Sequence, residues 1–427
     1  MALRKWLLPR VNLDECKIHH MPDDWMLDGI PQEDERLKEC KSRIDEPYTK
    51  NPERWEELTI LLEPSRAIRD TMRTRFDPQN VTNAWLKLVE MFAEFGIATD
   101  GKPVKMFDNA SAPGAFIMAA HYWTKCVYPC KFDWMASTWS ADAYVALGDT
   151  YGLKKTFPKQ FTTHGTDFNG DTMDVKYLRF MEEKYTGAFT LYTSDLGMRI
   201  PDGKYNAQEA VNARGNLGQI IMGLLTLAKG GILITKQFSH MSSFNISIMA
   251  ILTSVFEKLY IAKPLTSKSD NSEEYIVGLG YLGIPGHLKD VMYNALESSG
   301  DAYNIDIRNF LPPLLARECI STAFTGALLD ATRDLVDGQC SKIDANLREY
   351  TWMITNRTRE PRREFIEANL SSDIISRWIV LAPFKKMNRR TDYIIANPGS
   401  ETRDSRKKYV SRGHGARFVS FAPSGRK

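Results

Sequence analysis

The chain is 427 residues long, 43% hydrophobic and 26% charged, with a formal net charge of +3. That length supports a large core and two or three structural units, and the composition is that of a soluble globular protein. No uninterrupted apolar run approaches the roughly 20 residues of a membrane span, and the opening ALRKWLLPR is too short and too charged for a signal peptide, so a cytoplasmic protein without a membrane partner is expected.

Residues 1–75 are polar and punctuated by proline, and they read as a mostly helical N-terminal extension with RWEELTILLEPSRAIRDTMRTRF as its best helical stretch. Cys16, His19, His20 and Cys40 invite a metal reading, but their spacing matches no common zinc module, so no metal is expected. With Cys126, Cys130, Cys319 and Cys340 they make six cysteines, too sparse for a disulfide framework, which fits a reducing compartment.

From Asn80 the pattern tightens. VTNAWLKLVEMFAEF is an amphipathic helix with Ala84, Leu88, Met91 and Phe92 on one side. Next, KPVKMFDNASAPGAF (102–116) climbs through an apolar run to Asp108, passes a small-residue turn at Pro113-Gly114 and opens into the helix-like FIMAAHYW. Strand, tight loop and helix is how a Rossmann-type sheet brings its first strand end to a nucleotide-like ligand. The carboxylate suits ribose hydroxyls or an amino group, and the small residues let a ligand approach the backbone. A helix-breaking Pro-Gly after any buried strand has the same appearance. KCVYPCKFDWMA reads as a second strand ending at Asp133 and Trp134. The segment from Leu147 to Asp174 is a long polar loop with a turn signal at Asn169-Gly170-Asp171.

AFTLYTSDLG is a third strand, again ending on a carboxylate, Asp195. AQEAVNARGNLGQIIMGLLTLAKGG is a long helix stopped by Gly230-Gly231. ILITKQF is a buried strand carrying Lys236, SIMAILTSVFEKL a helix, and LYIAKP and EEYIVGLGY are the last strands, with Glu273 opening the second. Alternation over roughly 80–283 predicts an α/β fold with a mostly parallel sheet. The expected division is 1–75 as extension, 76–290 as the α/β domain, 291–384 as a helical region and 385–427 as a flexible basic tail. Between Lys385 and Lys427 there are 12 Lys and Arg against 3 Asp and Glu, a net of +9, which leaves −6 on the rest of the chain. A basic tail on an acidic body suits a polyanion such as RNA, and it equally suits a solvated tail that aids solubility.

Strand ends in such a sheet gather at one edge, so Lys87, Asp195, Lys236 and Glu273 are placed to converge on a ligand. A lysine inside ILITKQF costs several kcal/mol to bury unless carboxylates accompany it. The bland alternative is that it snorkels to the surface at the strand end.

The motifs and their order resemble the FtsJ-like family of RNA 2'-O-methyltransferases. The chain has AWLK ending at Lys87, DNASAPGAF from Asp108, TSDLG with Asp195, GGILITKQF with Lys236, and KPLTSKSDNSEEY with Glu273 two residues before Tyr275. The style is closest to viral and cap-directed members. The resemblance implies a Rossmann-like, mostly parallel seven-stranded sheet with helices on both faces and S-adenosylmethionine as the methyl donor. It further implies a catalytic tetrad of Lys87, Asp195, Lys236 and Glu273, in which Lys236 is the base that takes the ribose hydroxyl proton. Asp108 and the loop Ser111, Ala112, Pro113, Gly114, Ala115 and Phe116 would hold the amino-acid end of the donor. Asp133 would take its ribose or adenine side, and Asp171 its adenine amino group. The implied partner is RNA, the 5' end of a capped mRNA foremost, with capping or transcription machinery alongside. An internal rRNA or tRNA site is the alternative target, and a silent RNA-binding subunit the alternative role. Two departures stand out: family glycines are replaced by Ala110 and Ala115, and the family's SR arginine is Lys268, which lacks a bidentate fork. A cap base would stack on aromatic rings beside acidic groups, and Trp134, Trp139, Tyr151 and Tyr192 are available for that.

Overall fold

The computed structural model describes residues 3–13, 24–139, 149–161, 168–198, 200, 205–299, 311–370 and 372–395. The chain opens with strand β1 (Arg4–Leu8), then helices α1 (Ile30–Ser42), α2 (Asp45–Lys50), α3 (Pro52–Leu61) and α4 (Pro64–Arg75). Next come α5 (Asn83–Phe95), β2 (Val104–Asn109), α6 (Ala115–Tyr122), β3 (Phe132–Ala136), α7 (Leu153–Thr156), α8 (Val175–Tyr185) and β4 (Phe189–Ser194). The remaining elements are α9 (Gln208–Thr226), β5 (Leu227–Phe238), α10 (Ser243–Val255), β6 (Phe256–Lys263), β7 (Glu273–Tyr281), α11 (Gly286–Ser298), α12 (Thr322–Thr355), α13 (Arg363–Asn369) and α14 (Ser372–Ile379).

Among the described residues seven strands form one sheet in the order β1-β6-β7-β5-β4-β2-β3. The pairs β3–β2, β2–β4 and β4–β5 are parallel, whereas β7 lies antiparallel between β5 and β6, and β1 antiparallel on β6. The expected Rossmann-like sheet is therefore present, mostly but not wholly parallel. Successive strand residues alternate between two cores. Phe107, Tyr192, Leu233 and Ile276 pack with α8 to α12 on one face. Met106, Leu191, Ile234, Tyr275 and Val277 pack with α5, α6 and α14 on the other.

The N-terminal segment carries α1 to α4, and ahead of them Arg4–Leu8 pairs with β6 from Lys263 to Leu259 and supplies an edge strand. Three expectations need correction. The second strand does not begin at Lys125. Trp123–Val127 instead continue α6 as a π-helical turn, held by burial of Trp123 and by its indole N–H donating to the Ile97 carbonyl at 3.0 Å. Packing against α5 outweighs the strand propensity of that stretch. The helix α9 ends at Thr226, not at Gly230-Gly231. Leu227 already pairs with Phe189, and the two glycines lie in a bulge between that pair and Leu191↔Ile232, with Gly230 at φ +79°. Finally, residues 385–395 are not a free tail: the Met387 N–H donates to the Phe76 carbonyl at 2.8 Å, and Arg389 pairs with Asp77. The rest of the basic tail, 396–427, lies outside the described residues.

Cys40, Cys126, Cys130 and Cys340 are free thiols, and Cys319 is disulfide-bonded, which departs from a fully reduced reading. Cys16, His19 and His20 lie outside the described residues, and Cys40 is a buried thiol that accepts from Arg43 at 3.3 Å.

Candidate active site

The connection from β2 leads to β3 on one side, while β4 lies on the other, so the crevice where the topology switches opens between the ends of β2 and β4. Asp195 directly follows β4 at this edge. Phe238 is paired with Glu273, and Lys236 with Tyr275. Directly paired residues share a face and residues two apart share it again, so Lys236, Phe238, Glu273 and Tyr275 all point to the α5 side. This is the physical content of the E-x-Y spacing.

From that side Lys87 reaches down. Its helix is started by the Thr82 hydroxyl, which accepts from the Trp85 N–H at 3.2 Å, and stopped by Gly96 at φ +63°. Trp85, Leu86, Leu88 and Val89 are fully buried and fix the helix rotation. The Lys87 ammonium meets Glu273 Oε1 at 2.5 Å. Lys236 Nζ lies 3.2 Å from Asp195 Oδ1 and donates to the Asp195 carbonyl at 2.8 Å. Lysine 236 thus does not snorkel away; both lysines are accompanied by carboxylates. Burial works to lower the Lys87 pKa, but the charges of Glu273 and Asp195 outweigh it and raise the value. Burial likewise opposes ionisation of Glu273, yet Lys87 and Lys236 pull its pKa down to about 2. The four predicted residues form one charge-compensated cluster.

Several further residues hold the cluster in place. The Tyr275 hydroxyl donates to Asp195 Oδ1 at 2.7 Å, and the Ser267 hydroxyl to Glu273 Oε1 at 2.6 Å. Lys263, 6% exposed, donates to the carbonyls of Asn271 and Glu273 and so ties down the turn that presents Glu273. Glu90, one turn beyond Lys87, accepts from the N–H groups of Leu265 and Thr266 at 2.5 and 3.2 Å and holds the loop carrying Ser267. Only the KP and E-x-Y spacings hinted at Lys263 and Tyr275; Glu90 looked like any helix carboxylate. Lys268, at the family's arginine position, pairs with Glu63 at 2.9 Å.

The donor-loop residues divide. Asp108 ends up 1% exposed, its two oxygens taken by the hydroxyls of Thr193 at 2.6 Å and Ser111 at 2.5 Å. Burial, helped by the Asp195 charge, pushes its pKa up to about 7. Asp108 therefore shapes the loop from beneath. Ala112, Pro113 and Gly114 form the turn above it, Gly114 at φ +106°, and Ala115 opens α6. The Phe116 side chain is buried in the core beside Tyr275, which leaves only its backbone for a ligand. Ala110 stands at φ +51°, a conformation suited to the glycine it replaces.

Asp133 is a correction. It is the second residue of β3, paired with Lys105, hence at the strand's starting end and away from the crevice. It is exposed, and Gln160 donates to it at 3.4 Å. The polar group at the crevice end of β3 is Ser137, whose N–H donates to the Asp108 carbonyl at 3.0 Å and whose hydroxyl meets Tyr177 at 3.0 Å. Asp171 does lie nearby: its loop presses Gly170 onto Thr138, so closely that a Cβ would stand 2.4 Å from the Thr138 carbonyl oxygen. Its carboxylate accepts from the Met173 N–H at 2.9 Å. Of the aromatic candidates, Trp134 is buried under Phe157, and Tyr192 is in the core with its hydroxyl on the Gln219 carbonyl, so neither can stack a base. Trp139 and Tyr151 are half-buried.

Residues 80–281 match the FtsJ-like methyltransferase family. A probable methyltransferase of African swine fever virus (isolate Pig/Kenya/KEN-50/1950) is 31% identical over 299 residues, covering 66% of this chain and 69% of the viral one. The chain belongs to the FtsJ-like methyltransferase family. An uncharacterized protein of Acanthamoeba polyphaga mimivirus is 29% identical over 69% of this chain and 37% of its own length. The cap-specific mRNA (nucleoside-2'-O-)-methyltransferase 2 of Pongo abelii is 27% identical over 58% of this chain and 33% of its own. The chain thus spans only about a third of the length of these last two relatives. The methyl donor of this methyltransferase is S-adenosylmethionine, and the crevice between β2 and β4 fits it: a strand end, a small-residue turn and a helix start lie beside Asp195 and Lys236. Among the described residues no helix is long and apolar enough to cross a membrane.

Proposed function

We propose that the protein is an RNA ribose 2'-O-methyltransferase acting on a cap-proximal mRNA nucleotide. The observation that carries this reading is the convergence of Lys87, Asp195, Lys236 and Glu273, two ammonium groups interleaved with two carboxylates at the edge of the donor crevice. S-adenosylmethionine would supply an electrophilic methyl group there. A ribose 2'-hydroxyl is a weak nucleophile, so the protein's part is to aim it and remove its proton. Lys236, in its neutral form, accepts that proton as the new O–C bond forms. The Asp195 carbonyl and carboxylate hold its Nζ in place. Lys87 and Glu273 keep the cluster near neutrality and orient the sugar. The turn around Gly114 and the NGD loop with Asp171 cradle the donor. The cap preference is supported by the relative named as a cap-specific mRNA 2'-O-methyltransferase.

The test is incubation with labelled S-adenosylmethionine and a short RNA bearing a 5' N7-methylguanosine cap, beside its uncapped twin. Label on the 2'-oxygen of the capped RNA is expected, and Lys236→Ala should lower its rate by roughly 10²–10⁴-fold. Equal labelling of the two RNAs would move the target to an internal site. An unchanged rate in Lys236→Ala would remove Lys236 as the base.

A further inference from the structure

Helix α1 lies along α12, and the two keep one register throughout. A Cβ on Gly29, which precedes α1, would stand 2.9 Å from Leu329 Cδ2, and Glu33 Oε1 lies 3.6 Å from Arg333 Nε. Further along, Arg36 pairs with Asp337 and Arg43 with Asp344. Both sets of numbers rise together, so the helices run parallel. Positions 29, 33, 36, 40 and 43 advance by alternate steps of four and three, the seam of a heptad repeat. Between the two Arg–Asp pairs, the facing seam positions are Cys40 of α1 and Cys340 of α12.

Both are free thiols, and the Cys340 S–H hydrogen-bonds the Cys40 sulfur. Sulfurs already in contact on facing positions lie within reach of a disulfide. The pair is also polarised. Cys40, 4% exposed, accepts from the Arg43 guanidinium at 3.3 Å, which favours its thiolate. Cys340 is half-buried, and burial together with the Cys40 contact pushes its thiol up to about 12. Cys40 is therefore the nucleophile and Cys340 the partner that keeps its proton. The same stretch of α12 reaches the proposed active site. Gln339 accepts from the Ser272 hydroxyl and donates to the Asp270 carbonyl, both at 3.0 Å, and Asn346 donates to the Asp270 carboxylate at 3.2 Å. These bonds hold the turn that leads into Glu273.

We propose that Cys40 and Cys340 form a reversible, peroxide-responsive clamp, a disulfide that fastens α1 to α12 behind the turn of Glu273. The Cys40 sulfur attacks one oxygen of hydrogen peroxide, and the O–O bond breaks. The displaced hydroxide takes the thiol proton and leaves as water, with a sulfenic acid left on Cys40. The Cys340 sulfur then attacks the Cys40 sulfur. The S–S bond forms as the S–O bond breaks, and the Cys340 proton leaves with the hydroxide as a second water. Peroxide gains the two electrons that the two thiols lose, and a thiol reductant reopens the clamp by exchange. A bridge between residues so far apart in the sequence constrains the unfolded chain strongly.

The test treats the reduced full chain with stoichiometric hydrogen peroxide, alkylates it, digests it without reductant and maps the peptides by mass. A Cys40 peptide joined to a Cys340 peptide is expected, lighter by two hydrogens than the two thiol peptides together. The urea midpoint of the treated chain should rise by roughly 1 M, and dithiothreitol should reverse the rise. Cys340→Ser should lose both the joined peptide and the rise. That variant keeps Cys126, Cys130 and Cys319, so a rise due to those sulfurs would survive in it. The mapping needs only the wild type and stands even if a variant folds poorly. Cysteines 40 and 340 that stay open to alkylation after peroxide, or that end as separate sulfinic acids, overturn the clamp. A joined peptide without any rise in the midpoint overturns it as well.

Discussion

Asp108 shows how the carboxylate at the end of a strand can be engaged by its own loop and by a neighbouring strand. Its place at the end of β2 was legible from the apolar run that stops there, but Ser111 and Thr193 take both its oxygens. Thr193 lies 85 residues away, a partner no local pattern announces. Because burial holds the folded-state pKa near 7 against an ordinary value of 3.8, the native state keeps a proton that the unfolded chain has released. Stability from this residue therefore falls as pH rises from about 4 to about 7 and is level beyond. In Asp108→Asn that slope is absent. Urea midpoints should show the two proteins close at pH 4.5 and the variant gaining on the wild type up to pH 8, by at most a few kcal/mol. A wild type that gains on the variant with rising pH would contradict the buried, protonated carboxyl.

Elements were legible where periodicity is strong and ambiguous where one residue pair serves two kinds of turn. Gly230-Gly231 reads as a helix stop because glycine tolerates positive φ, and a strand bulge uses the same tolerance. Only the pairing of Leu227 with Phe189 decides between them. The turn between β2 and α6 makes its own demand. A Cβ on Gly114 would lie 2.2 Å from Leu153 Cδ1, and φ there is +106°. Gly114→Ala should therefore cost at least about 2 kcal/mol by strain and overpacking together. Ala110 already sits at positive φ with its methyl group in place, so Ala110→Gly should fall within about 1 kcal/mol of the wild type. Thermal melts of the two variants check the contrast. Equal behaviour would mean that the loop adapts around Gly114.

At the scale of the whole molecule, the two ends of the described chain brace the sheet. β1 covers the β6 edge. The C-terminal segment lies over α4, α5 and α6, with Trp378 stacked on Phe384 at 5.5 Å and its indole N–H reaching Glu90 at 3.4 Å. Glu90 in turn holds the loop that carries Ser267 to Glu273, so the C-terminal helices are mechanically continuous with the site. Trp378 is 1% exposed. Trp378→Ala should cost about 3–5 kcal/mol in chemical unfolding and lower the turnover rate more than donor affinity. A loss below about 1 kcal/mol would show that α14 is an ornament on the fold.

The residues by themselves determined the α/β alternation, the strand-loop-helix at Asp108 to Phe116 and the shared face of Glu273 and Tyr275, while the lysine–carboxylate cluster was what the family resemblance implied. The first three are written in short-range periodicity, turn chemistry or a spacing of two along a strand. Only the tertiary structure decided that Arg4–Leu8 is a strand, that Asp133 faces away from the crevice, that Asp108 lies beneath its loop and that Glu90 steers Glu273. Those facts depend on which distant segments meet, and strand pairing and burial across hundreds of residues leave no mark on the local pattern.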